Sequence, residues 1–213
     1  MKRPTVIAIT GGSGSGKTSL LQSIRAEFSE EDLCVISQDN YYKERSAQTE
    51  DPWGYLNFDL PEAIDLDAFE SDLTRLLSGD AVISRAYSFN HETPSGEQKQ
   101  FGPAPVIIIE GLFPCVRPSI ESMIDYSIYI HAIDNLKLIR RIERDLKERN
   151  YALKEILHRY QHHVMPSYLQ HIIQWREQAD LVINNNTSFD KGLQIILTFV
   201  RSLVSEYKKS ADH

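Results

Sequence analysis

Five short apolar runs set the rhythm of this chain. Residues 6–10, 33–37, 106–109, 126–130 and 181–183 are each of strand length, rich in β-branched side chains and nearly continuous. Runs without polar alternation belong to strands covered on both faces, so they predict a parallel sheet rather than half-exposed hairpins. Between them apolar residues recur at helical spacing. Leu20, Leu21, Ile24 and Phe28 mark a helix expected over 18–28, and Leu138, Ile139, Ile142 and Leu146 mark a second. Leu153, Ile156, Leu157, Tyr160 and Val164 form a third stripe, which Pro166 is expected to end or kink. Leu193, Ile196, Val200, Leu203 and Tyr207 give a C-terminal helix whose apolar face should dock on the sheet. Strand and helix in alternation imply an α/β fold: a doubly wound five-stranded parallel sheet with helices on both faces. Its ligands should lie at the carboxyl ends of the strands.

Two stretches break the rhythm. Residues 39–60 scatter Tyr41, Tyr42, Trp53, Tyr55 and Phe58 among polar positions, as expected of chain that lines a pocket. Residues 80–104 alternate weakly around Thr93-Pro94-Ser95-Gly96, a turn between two short strands. With no internal repeat or linker, residues 1–213 read as a single domain.

Composition narrows the class. The chain has 213 residues, 41% hydrophobic and 25% charged, which is enough for a real core. A net charge of −7 argues against coating nucleic acid or an anionic membrane, so phosphate chemistry must rest on a local basic cluster. Cys34 and Cys115 show no metal or redox spacing and read as small buried hydrophobes. The N-terminal apolar stretch is too short for a signal peptide or a membrane span. The expectation is a soluble, cytoplasmic protein.

The strongest chemical signal is Gly11-Gly12-Ser13-Gly14-Ser15-Gly16-Lys17-Thr18, which satisfies the phosphate-binding P-loop pattern between a strand and a helix. Its glycines let backbone N–H groups point at phosphate oxygens, and the helix N-terminus adds partial positive charge. Lys17 would reach the outer phosphates, and Thr18 would offer its hydroxyl to Mg²⁺. No N-K-x-D guanine motif is present, and the D-x-x-G at 51–54 follows no apolar strand and reads as coincidence. That leaves an ATP-dependent kinase, an ATPase or a nucleotide-binding regulator.

Asp39 directly follows the second apolar run, where a carboxylate can take a proton from an attacking hydroxyl. Glu110 ends the third run, at the place of a metal-side acid. Arg141, Arg144 and Arg149 lie on one charged helix and suit a lid that brings positive charge to a transferring phosphoryl group. His158, His162 and His163 are accompanied by no cysteine and no acid at ligand spacing, so they read as an exposed helix face rather than a zinc site.

Taken together, these residues resemble the uridine kinase (uridine–cytidine kinase) family of the phosphoribulokinase-like group. The resemblance covers residues 6–188. It rests on 11–19, Gln38-Asp39-Asn40-Tyr41-Tyr42, Asn57-Phe58-Asp59-Leu60-Pro61, Tyr87-Ser88-Phe89, Ile109-Glu110-Gly111, 140–149 and 179–183. It implies a five-stranded parallel sheet, ATP as donor, Mg²⁺, and transfer to the 5′-hydroxyl of a pyrimidine ribonucleoside. By resemblance Asp39 is the base, the run through Ser19 together with Arg144 and Arg149 binds ATP, and Thr18 and Glu110 face the metal. Asp59 and Arg141 would hold the ribose, with Tyr87, Phe89 and His91 on the base side. It also implies an acceptor-side excursion over about 39–104 and a lid over about 140–165. The expected partner is a small acceptor such as a ribonucleoside, with neither nucleic acid nor membrane; self-association is left open.

Three departures fall on the acceptor side. The family histidine comes five residues after the tyrosine and is followed by Ser or Thr and then Arg; here His91 comes four after Tyr87, with Glu92-Thr93 next. The family's Arg-Gly-Arg is Arg149-Asn150-Tyr151, and a glutamine expected before Tyr160 is Arg159. Another nucleoside, pantothenate or a sugar phosphate as acceptor therefore stays open, as does a non-catalytic regulator.

Overall fold

In the computed structural model, which describes residues 3–85 and 98–211, each apolar run is a strand. In chain order the strands are β1 (Thr5–Thr10), β2 (Leu33–Ser37), β3 (Thr49–Glu50), β4 (Leu56–Asn57), β5 (Val82–Arg85), β6 (Gln98–Phe101), β7 (Val106–Glu110), β8 (Tyr126–His131) and β9 (Leu181–Asn184). The main sheet runs β2-β7-β1-β8-β9 and is parallel throughout. Its register aligns the strand ends: Glu110 lies opposite Ile9 on one side and Ser37 on the other. The segments that leave β1, β2 and β7 therefore emerge along one edge of the sheet.

Successive side chains of a strand point to opposite faces, and here both faces are covered. Ile7, Ile9, Val35 and Ile108 pack with Leu20, Ile24, Ile196 and Val200, from α1 (Lys17–Arg25) and the C-terminal helix (Asp190–Ala211). Val6, Ala8, Ile36, Ile107 and Ile109 pack with Phe69 and Leu73 of α2 (Leu66–Leu77). Each Val, Leu, Ile or Phe among them, fully buried, contributes about 1.5–3 kcal/mol. Cys34 and Cys115 are unpaired and buried, and burial pushes both thiols up to about 12. The two short strands expected on either side of the 93–96 turn are β5 and β6, paired antiparallel with Val82 opposite Phe101, while the turn itself lies outside the described residues. Among the described residues no helix is long and apolar enough to cross a membrane.

Three helical expectations need correction. The first helix stops at Arg25, and Phe28 packs from beyond its end. After the short helix α3 (Pro118–Glu121), helix α4 (Asp134–Glu148) turns the other way from its apolar stripe. Ile139 and Leu146 are 49% and 44% exposed, whereas Lys137, Arg141 and Asp145 are 4%, 4% and 0% exposed. The polar face can go inward because partners satisfy it. Lys137 sits 3.6 Å above the Tyr168 ring and pairs with Asp134, while Arg141 meets Asp59 and Ser13.

Pro166 does not end the third helix. α5 (Leu153–Arg159) continues through π-helical turns at Tyr160–Val164 and Tyr168–Ile172 on either side of Met165–Ser167. Widening to i→i+5 bonding on both sides accommodates a residue that has no N–H to donate. Of its stripe, Ile156 and Val164 are buried while Leu153 and Leu157 are exposed.

Candidate active site

β1 delivers residues 11–16, and Lys17 opens α1 with Gly16 as its left-handed N-cap at φ 102°. Gly14 is also left-handed, and a Cβ there would come within 2.4 Å of the Lys137 carbonyl oxygen, so α4 packs directly on the loop. On the other side Asn185, just past β9, donates to the Ser15 carbonyl at 2.8 Å. Lys17 donates to the Gly11 and Gly12 carbonyls at 2.8 and 3.3 Å, which fixes its ammonium at the mouth of the loop. Burial lowers its pKa, and Glu110 and Asp39 oppose that loss. An ammonium held this way is poised for further negative charge.

The two acids arrive on neighbouring strands. Asp39 sits in the short 3₁₀ turn after β2, its N–H bonded to Ser37 Oγ at 3.3 Å, and Ser37 Oγ donates to Glu110 Oε2 at 2.8 Å. Burial raises the Glu110 pKa, Asp39 raises it further, and Lys17 and the Ser37 hydroxyl pull it back. Gly111 leaves room beside this acid for Gln38, whose Oε1 accepts from the Phe113 N–H at 2.9 Å. Thr18, Asp39 and Glu110 line one cavity of about 550 Å³.

Asp59, Arg141, Tyr42, Phe58, Tyr151 and Arg159 line the same cavity. Arg141 Nη1 reaches Asp59 Oδ1 at 3.4 Å and Ser13 Oγ at 3.0 Å, so one guanidinium joins the P-loop to Asp59. Burial works against its charge, but Asp59 and Asp145 outweigh it and hold it cationic. Asp145, with no exposed surface, pairs with Arg141, Arg144 and Arg149 at 3.2, 2.8 and 3.5 Å. One buried acid thus gathers the three arginines. Asn150 stands where the family glycine was expected and takes its left-handed conformation, φ 55°, after α4.

The P-loop, Asp39, Glu110, Asp59 and the three arginines all meet in this cavity. Tyr87, Phe89 and His91 lie outside the described residues. Of the scattered aromatics only Tyr42 and Phe58 line the cavity; Tyr41 packs on Phe69 in the core, and Trp53 is exposed. Asp145, Asn185 and Lys137 were not singled out from sequence. The sequence hint for Asp145 is its place four residues after Arg141 and next to Arg144. The histidines require correction too: His163 is buried and bonds, with His158, to Asp51, an acid far away in sequence.

Residues 6–190 match the model of the Phosphoribulokinase / Uridine kinase family. The chain belongs to that family. A uridine kinase of Staphylococcus haemolyticus is 34% identical over 206 residues, 97% of this chain and 100% of that one. A uridine kinase of Streptococcus thermophilus is 33% identical over 209 residues, 98% of this chain and 99% of that one. Among solved structures, phosphoribulokinase from Rhodobacter spheroides shares the fold, with a TM-score of 0.60 at 19% identity over 86% of this chain and 71% of that one. This family member is an ATP-dependent, uridine kinase-like P-loop kinase.

Proposed function

We propose that the protein transfers the γ-phosphoryl group of ATP to the 5′-hydroxyl of a ribonucleoside, with uridine and cytidine the first candidates. The observation that carries this reading is the Asp59–Arg141 pair at the end of the cavity that also holds Lys17 and Asp39. A carboxylate and a guanidinium side by side can grip a vicinal diol through directional, charge-assisted bonds. The excursion at about 39–104 seats the acceptor, α4 and the turns up to about residue 165 act as the lid, and residues 1–213 work as one domain.

In this reading the acceptor oxygen forms a bond to the γ-phosphorus while the bond to the bridging oxygen breaks and ADP leaves. Asp39 takes the hydroxyl proton. Lys17, Arg144 and Arg149 hold the negative charge spread over the transferring oxygens. A hydroxyl at Thr18 and facing carboxylates at Glu110 and Asp39 make a hard-oxygen donor set that fits Mg²⁺, with Thr18 and Glu110 as its holders. When bound, that ion neutralises charge on the phosphates. The uridine kinases that match nearly the whole chain support the acceptor class.

The altered wall gives a second acceptor question its basis. Arg159 and Tyr151 line the cavity where the family pattern has a glutamine and an arginine. A coupled ADP-release assay across uridine, cytidine, inosine, their 2′-deoxy forms and small alcohols tests the reading. Deoxyribose analogues should lose roughly 1–3 kcal/mol in kcat/KM, the cost of leaving a charged partner unsatisfied. Equal kcat/KM for ribo and deoxyribo forms, or activity only on an alcohol without ribose, overturns it.

A further inference from the structure

The β3–β4 hairpin and the helical segment 153–164 meet at a cluster the phosphoryl chemistry does not use. His158 Nε2 and His163 Nε2 lie 2.7 and 2.8 Å from the same atom, Asp51 Oδ2. The three ligand atoms all fall within 4.8 Å of one another. We propose that Asp51, His158 and His163 form a binding site for a divalent transition ion of the zinc class, separate from the phosphate site.

The backbone is arranged for this convergence. In a regular α-helix, residues five apart point about 140° away from each other, at 100° per residue. Here the helix widens to i→i+5 bonding at Tyr160–Val164, a turn that begins two residues after His158 and includes His163, and both rings reach one oxygen. Asp51 is fixed from behind, since its Oδ1 accepts the N–H groups of Trp53 and Tyr55 at 2.9 and 2.8 Å. Such outer bonds orient a ligating carboxylate and leave its second oxygen to face the ion.

The donor set selects the ion. Two imidazole nitrogens and one carboxylate oxygen suit zinc, with a fourth position left for water, whereas Mg²⁺ and Ca²⁺ prefer oxygen alone. A tetrahedral ion with bonds near 2.1 Å separates its ligand atoms by about 3.4 Å, so the two imidazole nitrogens would draw back from Asp51 Oδ2 by only about 0.6–0.7 Å. Burial opposes Asp51 as an anion, but hydrogen bonds from His158, Tyr55, His163 and Trp53 hold its carboxyl well below the usual range, and those from the Tyr55 and Trp53 N–H groups persist when an ion takes the two imidazoles. The neighbouring cation, Arg159, is paired with Glu155 at 2.8 Å. Trp53 and Tyr55 wall the site, their rings 5.1 and 4.7 Å from that of His158.

The position gives the ion a consequence. The hairpin that carries Asp51 leads directly into Phe58 and Asp59, and Arg159, which lines the cavity, directly follows His158 and precedes His163 by four residues. A bound ion would tie these two walls of the acceptor end together. That consequence rests on the acceptor reading above; ion binding itself does not.

The test uses the full chain stripped with chelator, then titrated with Zn²⁺ by calorimetry and with Co²⁺ by visible absorption. One equivalent should bind with micromolar or tighter Kd in the presence of excess Mg²⁺, and Co²⁺ should show the intense bands of a tetrahedral site. At a hundredfold excess over Kd, Zn²⁺ should raise Tm by roughly 5–10 °C. Co²⁺ should quench Trp53 fluorescence in a Trp175→Phe background. His158→Ala, at a half-buried position that tolerates truncation, should weaken binding at least about a hundredfold, as should Asp51→Asn. His163 is deeply buried, so His163→Ala is read only if its far-UV spectrum is unchanged. Zn²⁺ binding no tighter in the native chain than in His158→Ala, or no binding at micromolar ion, overturns the site. None of these readouts needs an acceptor, so they stand or fall apart from kinase activity.

Discussion

The two ends of the cavity are built differently. The phosphate loop is one run of chain, residues 11–18, folded on itself between β1 and α1. The acceptor end is assembled at long range: Asp59 and Arg141 meet across 82 residues, and Arg159 reaches the Leu56 carbonyl across 103. A local loop depends on backbone conformation, which a few glycines and a lysine specify almost alone. An assembled wall depends on how several elements dock, so it can change one residue at a time while the phosphate end stays as it is.

The largest break in this comparison should come at the junction of the two ends, Asp39. Asp39→Asn keeps the shape and removes the proton acceptor, so kcat should fall about 10²–10⁴-fold with ATP binding little changed. Steady-state kinetics with a separate nucleotide titration decides it. A collapse of ATP affinity at normal residual kcat would make Asp39 a metal or structural residue. Lys17→Ala strikes the local end alone and should cost roughly 10²–10³-fold in turnover, the scale of one lost transition-state charge contact. Normal turnover in a folded Lys17→Ala protein would sink the phosphate cradle.

That contrast also explains which features are legible in the sequence. The five strands appear as apolar runs because both sheet faces are covered, and the P-loop appears because its chemistry is contiguous. Asp39 and Glu110 are within reach because parallel strands deliver their last residues to one edge. Helix α4 misleads, since its apolar stripe suggests Leu138 and Ile142 face inward, yet Lys137, Arg141 and Asp145 are the buried residues. Periodicity reports where apolar residues lie and cannot know that a charged face will find buried partners. The Asp51–His158–His163 cluster is hidden for a similar reason, being joined only when the hairpin meets a π-helical turn.

Asp145 sharpens the contrast from the assembled side. It is fully buried beneath three guanidinium groups, and removing one partner of a buried pair leaves uncompensated charge. Arg144 keeps 32% of its side-chain surface, so water offsets part of that loss. Asp145→Ala should therefore destabilise the protein by about 2–4 kcal/mol in urea unfolding. A loss below about 1 kcal/mol would mean that Asp59, Ser13 and the neighbouring backbone hold the arginines without it.

The smallest effect belongs to Arg159, the clearest alteration of the acceptor wall. Its Nε donates to Glu155 Oε1 at 2.8 Å and its Nη1 to the Leu56 carbonyl, so part of its donor fork is already engaged. The guanidinium lies 5.5 and 5.2 Å from the Tyr55 and Tyr151 ring centres, where it packs as a flat cationic plate. A plate offers a surface for stacking and few donors for reading a base edge, so selectivity among bases should be low. Arg159→Gln brings back an amide that can both donate and accept. One new hydrogen bond is worth about 0.5–1.5 kcal/mol net, hence a change of roughly two- to tenfold in kcat/KM for uridine relative to inosine. Competition between the two nucleosides, measured in one mixture with the native chain and with Arg159→Gln, resolves a change of that size. An unchanged ratio would place base reading elsewhere and leave Arg159 as the strut between the hairpin and α5.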